Sequence, residues 1–174
     1  MKRWILILLI ALVCGALVGI VGFTQIKIGA LQEPGHLETV LATRAKHILV
    51  RRSSHDGIPL APTNLQASIE EGDKLFGTEC AACHGLDGHK PTDAGRWMYP
   101  RAADLTSAEV QKYSDRELFW IVKNGIRLSG MPAFGRVESD EHIWNLVHYV
   151  RTLPGSAHSE SGGTTNFRQE HWKP

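Results

Sequence analysis

Residues 80–84 read Cys-Ala-Ala-Cys-His, and no other short stretch limits the fold of this chain as tightly. Two thiols three apart, with an imidazole after the second, occur as half of a zinc site, as a redox dithiol or as a haem anchor. On a helical turn positions i, i+3 and i+4 project from one side, so Cys80, Cys83 and His84 converge on a single object. A structural zinc ion needs four ligands, usually from a second pair at regular spacing. The remaining cysteine, Cys14, lies in an apolar N-terminal run, and no second histidine pair follows at finger distance. A thioredoxin-like dithiol belongs at the start of a helix in a βαβ setting, and no segment here alternates like a strand for long. Covalent haem needs what is present: each thiol adds to a vinyl group, and the imidazole reaches the iron from the same face.

The rest of the central region has the pattern of an all-α domain over 64–153. "TNLQASIEEGDKLFGTE" puts Leu65, Ile69, Gly72 and Phe76 on one face, with Ser68 and Glu71 as one possible capping box. "SDRELFWIVKNG" has a capping box in Ser114 and Glu117, an apolar face of Leu118, Ile121 and Val122, and a stop at Gly125. "SDEHIWNLVHYVRTLPG" starts at Ser139, spaces Ile143, Leu146, Val147, Val150 and Leu153 by threes and fours, and stops at Pro154-Gly155. Between the first two helices, residues 85–113 read as one long loop, a length that is uncommon unless it serves something. Three helices and such a loop are short of core. A haem, as a large apolar plate, supplies the missing middle.

The chain is close to neutral overall, at +1, so its net charge points to no nucleic-acid partner. The charge is uneven, however: residues 64–153 carry an acidic excess and the first 63 a basic one. Trp4 to Phe23 is uncharged for 20 residues, about 30 Å of helix and enough to span a bilayer core. A cleaved signal peptide has a shorter apolar region, so 4–23 is expected to stay as a single anchor. Cys14 within it reads as a small buried hydrophobe rather than a lipidation site. Lys2 and Arg3 precede the span and only Lys27 follows closely. This keeps residues 1–3 in the cytoplasm and exports the rest, to the periplasm or outer side of a bacterial inner membrane.

Residues 24–63 form a linker with an amphipathic helix over 36–50. That helix is expected to lie on lipid, to pack on the domain, or to dock a partner subunit. His36, His47 and His55 read as exposed linker histidines. The tail, 154–174, has little apolar content and is expected to be disordered.

A haem iron held by His84 has a second face. Met131 lies in "RLSGMPAFG", where Pro132 favours an extended backbone at Met131 and Gly130 and Gly135 allow close approach. A thioether on such a loop suits a ligand that must reach across a porphyrin. Met98 is the rival, with a contact at the haem edge as its other role. His142 and His148 face different sides of one helix, and His89 is close in sequence to His84.

"GDKLFGTECAACHGLDG", "NGIRLSGMPAF" and "IWNLVHYVRTLPG" together resemble the start, middle and end of a class I monohaem cytochrome c domain of the membrane-anchored bacterial type. The resemblance implies a small cytochrome c fold, with three main helices and a long loop around one covalent haem c. It implies Cys80, Cys83, His84 and Met131 as haem-binding residues, with His84 and Met131 on the iron. Gly72 and Phe76 are expected to pack against Trp144 and Tyr149. A proline carbonyl, expected at Pro100, should accept the Nδ1–H of His84. Arg96, Arg101, Arg127, Trp97 and Tyr99 are candidates for the propionates.

With both iron faces occupied there is no open position for substrate, and no catalytic constellation stands out. The expected function is one-electron transfer between redox protein partners outside the cytoplasm. The alternatives are a haem subunit fixed in a larger respiratory or dehydrogenase complex, and a ligand sensor or peroxidase-like enzyme in which Met131 dissociates.

Overall fold

The computed structural model describes residues 2–24, 29 and 34–153. The tail 154–174, with its expected disorder and its Pro154-Gly155 stop, lies outside the described residues. The chain divides into two compact units, Met1–Pro34 and Gly35–Pro174.

In the first unit, α1 spans Lys2–Thr24. Its Arg3–Thr24 stretch is long and apolar enough to cross a membrane, by length and composition, and none of it is buried against protein.

Among the described residues of the second unit every regular element is helical. They are α2 (His36–Ser53), α3 (Leu65–Leu75), a π turn (Phe76–Cys80), α4 (Ala81–His84), α5 (Asp93–Trp97), α6 (Ala108–Gln111), α7 (Asp115–Asn124), a 3-10 turn (Phe134–Arg136) and α8 (Asp140–Val150). α7 begins with the expected capping box: Ser114 Oγ accepts from the Glu117 N–H, and the Glu117 carboxylate accepts from the Ser114 N–H. α8 is capped by Ser139, which accepts from the His142 N–H at 3.1 Å. α3 begins earlier than the Ser68–Glu71 box would place it, because Asn64 Oδ1 accepts from the Ala67 N–H.

Ser68 is instead inside. Its hydroxyl donates to Asn145 Oδ1 at 2.5 Å and meets His148 Nδ1 at 2.7 Å. The buried stripe of α3 is therefore Ser68, Gly72 and Phe76, with Leu65 left 54% exposed. Stretch 85–113 is not the unbroken loop expected. Thr92 and Ser107 each cap one helical turn, accepting from the Gly95 and Val110 N–H groups. Such caps satisfy the free donors of a first turn without needing an apolar stripe.

The core forms where α3 crosses α8. Gly72 lets the Asn145 carbonyl and Tyr149 Cβ approach to where its own Cβ would stand. Phe76 packs on Tyr149 with ring centroids 5.1 Å apart. Trp144 is engaged elsewhere, stacking at a tilt on Phe119 (4.8 Å) and donating its indole N–H to the Pro59 carbonyl. Phe119, Ile143, Leu146 and Val147 are essentially inaccessible, and each contributes on the order of 1.5–3 kcal/mol by leaving water.

α2 packs on this body. Val50 is buried, and His47 stacks flat on Tyr113 (4.3 Å, 6°) while pairing with Glu109 at 2.5 Å. Tyr99 donates to Glu38, and Arg116 donates to the Ser54 and His55 carbonyls. His47 is thus a packed residue rather than the exposed linker histidine expected. Its partners lie more than sixty positions away, where helical periodicity gives no signal.

Candidate functional site

The Cys-Ala-Ala-Cys-His turn stands at the end of a continuous α3–π–α4 rod. A π turn advances less per residue than an α turn, so the insertion at Phe76–Cys80 rotates α4 relative to the buried stripe of α3. α4 carries Cys83 and His84, with Cys80 as its N-cap, and both thiols are free and half-buried.

The last carbonyls of α4 would otherwise lack partners. Thr92 satisfies two of them: its N–H donates to Cys83 O at 3.1 Å and its hydroxyl to Ala82 O at 2.6 Å. Gly95 of α5 lies directly on the Cys83 carbonyl, in space that any Cβ would fill. α5 is thereby clamped across the end of the motif.

The His84 ring is oriented by its Nδ1–H, which donates to the Ala103 carbonyl at 2.8 Å. This corrects the expectation at Pro100, which stands in a cis peptide after Tyr99. Any residue presents a carbonyl, so side-chain identity carries no signal for this partner. Burial pulls the His84 pKa below its ordinary value, with the bond to Ala103 acting in the opposite direction. The ring is neutral at pH 7 and its Nε2 lone pair is free to ligate.

Burial, followed by the charges of Glu79 and Cys83, pushes the Cys80 thiol up to about 12. A reactive dithiol needs a thiolate near neutral pH, and this site disfavours one. Among the described residues, no three His, Cys, Asp or Glu side chains converge to hold a bare metal ion.

Met131 follows α7. Gly125, at φ +66°, ends the helix and lies against the Met131 and Pro132 carbonyls, closer than a side chain there would permit. The Met131 N–H donates to Ser129 Oγ at 3.2 Å and its carbonyl accepts from Ile126 at 3.4 Å. Met131 is therefore folded back on its own loop.

Met98 lies one residue past α5, and its sulfur and Cγ pack on Gly130. α5 thus joins the two halves of the site, through Gly95 to the Cys83 carbonyl and through Met98 to the residue before Met131. The other imidazoles are engaged elsewhere: His89 with Asp104 and Thr106, His142 with Glu138, and His148 with Ser68. Of the propionate candidates, Tyr99 donates to Glu38 and Arg96 pairs with Asp93, while Trp97 is 76% exposed.

Residues 67–150 match the profile of the family described as cytochrome C oxidase, cbb3-type, subunit III. Cytochrome c6 of Thermosynechococcus vestitus is 30% identical over 93 residues, which is 53% of this chain and 77% of that protein. The chain belongs to the class I monohaem cytochromes c.

The thiosulfate dehydrogenase of Allochromatium vinosum is 27% identical to this cytochrome over 110 residues, 62% of the chain and 39% of the enzyme. Among solved structures, the reducing HAO-like protein complex of Kuenenia stuttgartiensis matches at 27% identity and a TM-score of 0.48, over 56% of this chain and 47% of the other.

Members of the family carry one covalently bound haem c, and this site has the donors for it. Two thiols and an oriented, neutral imidazole share one turn, and a thioether loop is joined to that turn through α5. The function common to this family is electron transfer.

Proposed function

We propose that this cytochrome is anchored in the bacterial inner membrane by residues 4–23. In this reading it carries single electrons between protein partners on the periplasmic or outer side. Cys80 and Cys83 would hold the haem by thioether bonds, with His84 and Met131 as the axial ligands. Haem c supplies an iron that alternates between two oxidation states one electron apart, and Met/His ligation favours the reduced one.

The chain's own residues do the positioning. Ala103 O holds the Nδ1–H of His84 and so fixes which nitrogen faces the iron. Gly125, Ser129 and Pro132 hold the Met131 backbone. The observation that carries the reading is a double contact, of Gly95 in α5 on the Cys83 carbonyl and of Met98, just past that helix, on Gly130. One short stretch of chain thereby ties the attachment turn to the methionine loop. The occupied states of His89, His142 and His148 favour a methionine over a second histidine.

The attachment is tested by replacing both Cys80 and Cys83 with Ala. Haem-dependent peroxidase staining should then vanish from the band of this chain on a denaturing gel. Haem that leaves the unmodified protein in acid–butanone would contradict covalent attachment.

A second reading, a haem subunit fixed within a larger oxidoreductase, is favoured by the match to thiosulfate dehydrogenase and by the oxidase-subunit description of the matching family. Sizing the haem-containing species after mild detergent extraction separates the two. A free carrier elutes at the size of one chain in its micelle.

A further inference from the structure

α2 packs one face on the body, and on its other side Glu38, near the N-terminus, accepts from Tyr99. The inner face is Val40, Thr43, His47 and Val50. On the outer face Leu37 (70% exposed), Leu41 (58%) and Ile48 (61%) form an apolar stripe at i, i+4 and i+11. Arg44, Arg51 and Arg52 flank this stripe and are exposed as well. Soluble surfaces seldom hold large aliphatic side chains in a row.

The stripe runs into a cavity of about 590 Å³ at the C-terminal end of α2, lined by Ile48, Arg51, His47, His55, Lys112 and Arg116. Glu117, the carboxylate of that lining, is engaged in the Ser114 cap, and nearby Glu109 is engaged by His47. The lining thus sets the cations of Arg51, Lys112 and Arg116 against the single carboxylate of Glu117, a net excess of positive charge.

We propose that the outer face of α2 and this basic cavity bind the anionic surface of the bilayer. The apolar stripe would sit at the headgroup–acyl boundary and Arg51, Lys112 and Arg116 would face a lipid phosphate. Three observations favour lipid over a protein partner. Aliphatic residues bordered by arginines are the composition of an interfacial helix. The sign is complementary to anionic headgroups on this face, although residues 64–153 as a whole are acidic. Only eleven residues separate Thr24 from His36, a tether that fully extended reaches at most about 40 Å.

The proposal rests on residues 4–23 being a membrane anchor. On that basis α2 holds the haem body against the membrane, its inner face being tied to the body by buried Val50 and by the contacts of His47 with Glu109 and Tyr113.

The test uses the full-length, haem-loaded chain with Cys14→Ser, carrying an environment-sensitive fluorophore on Ile48→Cys, in nanodiscs with a lipid-borne quencher. Discs of phosphatidylcholine alone are compared with discs that contain phosphatidylglycerol. Quenching should appear with phosphatidylglycerol. The bound-to-free ratio of α2 should then fall about fivefold for each of Arg44, Arg51 and Arg52 changed to Gln, the factor of one basic residue at an anionic surface. Unchanged haem absorbance and helical circular dichroism would show that these variants are folded.

An Ile48 probe that stays unquenched in anionic discs, while haem co-elutes with the discs, would overturn the proposal and leave the anchor intact. So would a probe protected only in the native complex, which would assign the face to a protein subunit. Haem absent from the disc fraction would refute the anchor, and this proposal with it.

Discussion

Gly72 is the residue at which the two largest helices of the haem body can be separated by one methyl group. A Cβ there would occupy the space of the Asn145 carbonyl and Tyr149 Cβ. Gly72→Ala should therefore cost about 1–3 kcal/mol as the helices move apart, read as a lowered denaturation midpoint with haem still attached. This role was legible through the family resemblance, which implies that Gly72 and Phe76 pack against the last helix. The Ala103 carbonyl was not legible, and neither was Ser68 as a buried hydroxyl. A backbone acceptor has no residue identity, and Ser68 with Glu71 spells a cap that Asn64 in fact supplies.

His148, near Ser68, gives a pH dependence. Burial holds its pKa below the ordinary 6.5, with Asp115 acting the other way. The unfolded chain takes up this proton near pH 6.5 and the folded chain only lower down. The unfolded state therefore binds more protons in that window, and stability falls as the pH drops below about 6.5. The fall in midpoint between pH 7 and 5 should be shallower in His148→Gln than in the parent.

At the scale of elements, α7 and α8 follow from their sequences because caps and three-four spacing are local signals. Ser114, Glu117 and Ser139 act as their positions predict. α5 and α6 were hidden because one-turn helices have no periodicity to read. Packing of α2 on the domain was among the expectations, but its partners, Glu109 and Tyr113, gave no local signal because they are distant in the chain. The end of α8 depends similarly on distant groups. Arg151 donates to Asp115, to the Gln111 side chain and carbonyl, and to the Tyr113 carbonyl. Arg151→Met keeps the stem but removes all four, and should cost about 1–3 kcal/mol by leaving partly buried acceptors without donors. Chemical denaturation of the holo-protein measures this directly.

At the scale of the whole molecule, a one-electron carrier needs an iron closed to substrate and a body that keeps both ligands in place. The α3–π–α4 rod presents Cys80, Cys83 and His84, the α7 loop presents Met131, and α5 touches both parts. The central claim is that Met131 closes the second face. It is tested most directly by the weak long-wavelength sulfur-to-iron absorbance of the oxidised protein, recorded for the parent, Met131→Ala and Met98→Ala. The account predicts that the band is present in the parent, absent in Met131→Ala together with new carbon monoxide binding to the reduced form, and retained in Met98→Ala. A band that survives without Met131 and disappears without Met98 would contradict it, placing the second ligand at the end of α5.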